Sequence, residues 1–148
     1  MSHPHTPAEL LRASLVSAGL GVMRTRNPNN DWPVYVSHLP DAPANAICVY
    51  DTAGVKDGRV MGTGETFQHP GFQIRVRATD YATAHTKIRA VVTHLDTIRQ
   101  QTLAVDEDSY KLVAVTQMGN PIPLGREDDG AQRESFTLNG ILAFTRIT

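Results

Sequence analysis

Apolar and polar residues alternate without a break through Phe72-Gln-Ile-Arg-Val-Arg-Ala-Thr79. That period of two predicts a strand with one face on a core. Immediately afterwards the period changes, and Tyr81, Ala84, Ile88, Val91, Val92, Leu95 and Ile98 recur at spacings of three and four, with Asp80 placed to cap. This predicts a helix over residues 81–100 whose polar face carries Thr83, Lys87, Arg89, Thr93, Asp96 and Gln100. A second helical stretch opens the chain. Thr6-Pro7-Ala8-Glu9 combines a cap, a proline at the first helical position and an acidic residue able to complete a capping box. Leu11, Leu15 and Ala18 share a face, Leu10 and Val16 widen it, and Gly19 supplies a left-handed stop, so this helix spans 7–18.

The Asn- and Asp-rich run Asn27-Pro-Asn-Asn-Asp31 favours turns, whereas Val34–Ser37 and Ala46–Tyr50 are β-branched and aromatic and read as strands. Gly54 to Glu65 is either a long loop or an extended hairpin, because it holds four glycines and little apolar periodicity. Two more strands follow at Lys111–Met118 and Arg133–Thr145, separated by a long loop. Phe136, Leu138, Leu142 and Phe144 keep one phase across Asn139-Gly140. One long strand is therefore favoured over a hairpin, with Gly140 offering a place to bulge. The expected order is α-β-β-β-α-β-β, an α+β domain whose mostly antiparallel sheet packs against the one long helix at 81–100.

With 148 residues the chain suits a single domain. Fourteen Lys and Arg stand against fifteen Asp and Glu, so no overall basic field draws in nucleic acid. Cys48 is the lone cysteine, which excludes an intrachain disulfide and suits a reducing compartment. The N-terminus lacks a basic segment followed by an apolar run, and no apolar stretch is long enough to span a bilayer, so a soluble product of a cytoplasm is expected.

Chemistry-bearing residues do not converge on an active site. His3 and His5 lie in a short N-terminal segment expected to be mobile, and His38 and His69 abut prolines and read as loop residues. His85 and His94 lie nine residues apart, about 180° around a helix, too far round to share a ligand. Cys48, framed by Ile47 and Val49, reads as a small buried hydrophobe rather than a nucleophile. Glu107-Asp108 and Glu127-Asp128-Asp129 read as solvated loop acids, and Gly62-Thr-Gly64 is too short for a phosphate cradle. No enzyme activity, metal or cofactor is expected.

Two stretches carry a family resemblance. Pro70-Gly-Phe-Gln-Ile-Arg-Val-Arg-Ala-Thr-Asp-Tyr-Ala-Thr-Ala84 with its following helix resembles the strand-to-helix core of the tailed-phage minor capsid or tail terminator proteins. Pro121-Ile-Pro-Leu-Gly-Arg-Glu-Asp-Asp-Gly-Ala-Gln-Arg-Glu-Ser-Phe-Thr-Leu-Asn139 is similar to the loop leading into that family's last strand, with Glu127 in place of the usual aspartate and Ala131-Gln132 as an insertion. The resemblance implies a structural virion protein, made in the host cytoplasm, that forms a hexameric ring at the head-proximal end of a non-contractile tail. Its implied partners are further copies of itself, the tail-tube protein and the head-tail connector, with no membrane and no sequence-specific nucleic acid. A head-closure or adaptor neck protein is the alternative within this class, and a small cytosolic ligand-binding or nucleic-acid-processing domain the alternative outside it.

A ring subunit needs two different, mutually complementary patches. The segments 54–69 and 119–132 are the candidate sources, with Lys56, Asp57, Arg59 and Arg126 as charged contacts. Arg75 and Arg77 share the polar face of their strand and are expected to meet Asp128 or Asp129 of a neighbour.

Overall fold

The computed structural model describes residues 5–23, 31–40, 44–56, 68–126 and 133–147. Helix α1 (Pro7–Ser17) starts with the expected capping box: Thr6 Oγ1 accepts from the Glu9 amide, and a Glu9 carboxylate oxygen accepts from the Thr6 amide, both at 3.2 Å. It stops at Gly19, whose φ of 80° lets the Leu20 amide turn back to the Leu15 carbonyl at 3.0 Å. Strand β1 (Val34–Val36) is followed by the long pair β2 (Ala46–Lys56) and β3 (Gln68–Ala78), which run antiparallel from Ala46 opposite Arg77 to Lys56 opposite Gln68. The Gly54 region therefore begins as an extended hairpin; residues 57–67 lie outside the described residues.

Helix α2 (Tyr81–Asp96) is capped by Asp80, which accepts from the Thr83 amide at 2.7 Å and the Thr83 hydroxyl at 2.9 Å. These bonds favour the charged carboxylate and hold its pKa below the ordinary value. The helix ends four residues earlier than its periodicity predicts. The Thr97 amide and hydroxyl both close on the His94 carbonyl, and Gln100 takes a positive φ of 51° as the chain swings into β4 (Arg99–Val105). Ile98 keeps the helical phase because it is still buried, although it belongs to the turn.

After the two-residue turn at Asp106-Glu107 come β5 (Asp108–Gln117), β6 (Ile122–Arg126) and β7 (Glu134–Ile147). Two strands, β4 and β6, add to the expected order. Arg99-Gln-Gln-Thr lacks alternation, and Pro123 and Gly125 read as breakers although an edge strand tolerates both. The sheet runs β1-β2-β3-β7-β5-β4, with β6 also paired to β7. β6 and β5 share one edge of β7 end to end, β6 over Glu134–Thr137 and β5 over Gly140–Ile147. The sheet is mixed, since β1 and β2 are parallel while the other pairs are antiparallel.

β7 is the single long strand expected, yet it does not bulge at Gly140. The irregularity sits across the ladder on β5, between Leu112 and Ala114. Gly140 serves close packing instead: a Cβ there would lie 2.5 Å from Phe72 Cζ and 2.7 Å from the Thr116 carbonyl. Both helices cover the apolar face of the sheet, where one was expected. Leu10, Leu11 and Leu15 of α1 join Ile88, Val91 and Leu95 of α2 over Ile47, Val49, Phe72, Ile74, Leu138 and Leu142 in one core. Because α1 touches β1 and β2 at one end of the strand order and β4 at the other, the sheet curls around it.

Candidate assembly surfaces

The outer face of the sheet is polar yet largely covered. Cys48 is opposite Arg75, which is opposite Thr137; Ala46 is opposite Arg77, which is opposite Ser135. Arg77 is 3% exposed, and its guanidinium donates to the Ala44 carbonyl at 3.1 Å and the Pro40 carbonyl at 2.7 Å. It therefore fastens the chain between β1 and β2 over the sheet. Cys48 is fully buried, and burial raises its thiol pKa, so the residue is the inert hydrophobe its neighbours implied. Arg75 differs from Arg77. Its guanidinium lies 5.8 Å from the Tyr50 ring centre, and among the described residues its Nε has no hydrogen-bond partner. A buried donor left open costs on the order of 1–3 kcal/mol.

A second surface is apolar. Met118, Ile122 and Leu124 are 64%, 56% and 50% exposed along the approach to β6 and on β6 itself. β6 is bonded only to β7 and presents its other edge unpaired among the described residues. Edge strands of this kind are sites of strand addition, and Pro123 limits how far pairing can run.

At the opposite end of β7, His5 is clamped rather than mobile. It is 6% exposed; its Nδ1 meets the Tyr110 hydroxyl at 2.8 Å and its Nε2 meets Asp106 Oδ2 at 2.9 Å, while Asp108 takes a 2.5 Å bond from Arg146. His5 thereby fixes the β4–β5 turn. His69 corrects a second expectation, since it pairs with Val55 within β3 rather than lying in a loop. Of the helix histidines, His85 stacks on Tyr81 at the surface and His94 bonds Ser14 Oγ at 2.8 Å between the two helices. Among the described residues no three His, Cys, Asp or Glu side chains are grouped to hold a metal, and no helix is long and apolar enough to cross a membrane.

A third surface is a groove of about 410 Å³ on the solvent side of α2, walled by Trp32 and floored by Ala82, Thr83, Thr86 and Ala90, with Lys87 within it. The Lys87 ammonium lies 4.9 Å from the Trp32 ring centre.

A family model described as "Bacteriophage tail terminator protein" matches residues 14–142, from within α1 to within β7. The chain belongs to the bacteriophage tail terminator family. Membership makes it a structural component of a phage virion with a role in the tail, assembled with other tail or head components. A solved protein structure aligned over 95% of this chain and 93% of its own at 13% identity, TM-score 0.50, shares the fold. A chain from a structure titled "Virion of native gene transfer agent (GTA) particle" aligns over 77% of this terminator-family chain and 78% of its own, at 19% identity and TM-score 0.46. A sequence search of curated proteins returns no match.

For this terminator-family chain, the residues singled out as contacts divide by position. Arg75 and Arg77 share the outer face as the alternation required, but Arg77 is committed to backbone carbonyls within the chain. Lys56 and Arg126 end β2 and β6 respectively, and Asp57, Arg59, Asp128 and Asp129 lie outside the described residues. Sequence reasoning missed Trp32 and the β4–β5 turn. Lys87 was placed on the polar face of its helix, but pairing it with Trp32 needs contact across 55 positions, which no local pattern reports.

Proposed function

We propose that this protein is a tail terminator subunit that closes into a hexameric ring at the head-proximal end of a non-contractile tail. The ring stops polymerisation of the tube and gives the head connector a surface to join. The observation that carries the reading is the family match over residues 14–142, which takes in the β3–α2 unit and the β6 approach to β7 alike. The surfaces support it: a ring subunit needs distinct patches that meet heterologously, and among the described residues this chain has an unpaired edge on β6, an arginine with an open donor on the outer face, and a long antiparallel β2–β3 pair.

The test is electron microscopy of tubes grown from the cognate tail-tube protein with and without this protein. Tubes capped by a ring and limited in length are expected. Tube length indifferent to the protein, with binding to the connector instead, would transfer the assignment to head closure. Binding to neither would overturn it.

A further inference from the structure

The groove on α2 has an unusual cation. Lys87 is half-buried, burial lowers its pKa, and among the described residues its recorded contact is the Trp32 ring rather than a carboxylate. An aromatic face attracts a cation but leaves its hydrogen-bond donors open, and an ammonium has three of them. The floor is made of Ala82, Thr83, Thr86 and Ala90, small enough for another backbone to approach the helix closely. The site therefore fits a protruding turn that carries a carboxylate.

The same chain carries such a turn. Asp106-Glu107 joins β4 to β5 in two residues; Asp106 is held by the buried His5, and Glu107 is exposed with no partner among the described residues. A turn fixed in this way presents its carboxylate with little ordering cost. It stands where Ser109 pairs with Ile147. The groove lies toward the other end of β7: Trp32 precedes β1, Val34 of β1 is opposite Ile47, Ile47 opposite Val76 and Val76 opposite Phe136. Fourteen residues of strand span on the order of 45 Å, so the turn and the groove of one chain are held apart. Two unlike, charge-complementary patches at opposite ends of a subunit are the elements of a heterologous, repeating contact.

We propose that the Trp32–Lys87 groove is the socket for the β4–β5 turn of a second copy of this chain, with the Glu107 carboxylate of one subunit paired to the Lys87 ammonium of the next. This rests on the ring reading and names a contact within it.

Charge reversal tests it. Wild type, Lys87→Glu, Glu107→Lys and the double variant are compared for ring formation on tube ends and for self-association by native mass spectrometry, with thermal unfolding as a check on folding. Each single reversal is expected to weaken self-association at least tenfold, and the double reversal to restore most of it, with the loss smaller at high salt. Where a reversal lowers the unfolding temperature, the neutral pair Lys87→Gln and Glu107→Gln replaces it, and each is expected to weaken association several-fold. Single variants that form rings as well as wild type would overturn the socket and leave the ring reading standing. Failure of only the Lys87 variant would place a different acidic segment in the groove and overturn it equally. Wild type that forms no ring even with the tube protein would overturn both.

Discussion

On β3, Phe72, Ile74 and Val76 belong to the apolar core, whereas Arg75 and Arg77, on the opposite face of the same strand, meet an aromatic ring and backbone carbonyls. Both faces are well covered, but by different means. The inner face is filled by helix side chains in bulk, so its stability follows volume. The outer face is held at Pro40 and Ala44 and depends on a few directed bonds, so it follows the satisfaction of single groups. Arg75 Nε and Ser135 Oγ are where that satisfaction stops among the described residues, two buried polar atoms on one face of the sheet.

The sharpest way to break the comparison is Phe72→Ala. It removes the ring packed against Gly140 and is expected to cost about 3–5 kcal/mol, read from urea unfolding. A loss near 1 kcal/mol would mean the inner face collapses easily and is not volume-controlled. Next comes Arg77→Ala, which strips the donors from the Pro40 and Ala44 carbonyls; about 1.5–3 kcal/mol is expected by the same measurement, with faster amide exchange at residues 37–39, 44 and 45. An unchanged exchange rate there would show that Arg77 does not fasten the segment.

A smaller effect separates the two helices. Burial holds the His94 imidazole below its ordinary value of 6.5, so the fold favours the neutral ring. The associated stability is complete above that value and is lost as pH falls through the lower folded value. Acidification from about pH 7 to about pH 5 should lower the urea midpoint, and His94→Asn should flatten that dependence. The smallest expected effect on folding belongs to Arg75→Gln, which removes the buried open donor together with the contact on the Tyr50 ring and is expected to stay within about 1 kcal/mol of wild type, while ring formation on tubes weakens. Assembly unchanged in that variant would remove Arg75 from the interface.

Much of the architecture was legible because its causes are local. The alternation from Phe72 to Thr79, the Asp80 cap and the Thr6 to Glu9 box each act within a few residues; α1 and α2 begin where these caps predict, and β3 takes in the alternating run as far as Ala78. The unbroken phase of Phe136 to Phe144 likewise identified β7 as one strand. Elements whose reason is a partner strand were not legible. β4 and β6 form because β5 and β7 offer them hydrogen-bonding edges, and neither has an alternation of its own to announce it.

The same division runs through the candidate site. The sequence alone determined which face of β3 carries Arg75 and Arg77, since a period of two admits no other arrangement. Only the tertiary structure decided that Arg77 is taken up by the Pro40 and Ala44 carbonyls while Arg75 Nε, among the described residues, keeps an open donor. It alone clamped His5 to Tyr110 and Asp106 across more than a hundred positions, and set Lys87 over Trp32. Side-chain direction is written in local backbone geometry, but what a side chain meets depends on which distant segments the core brings to it.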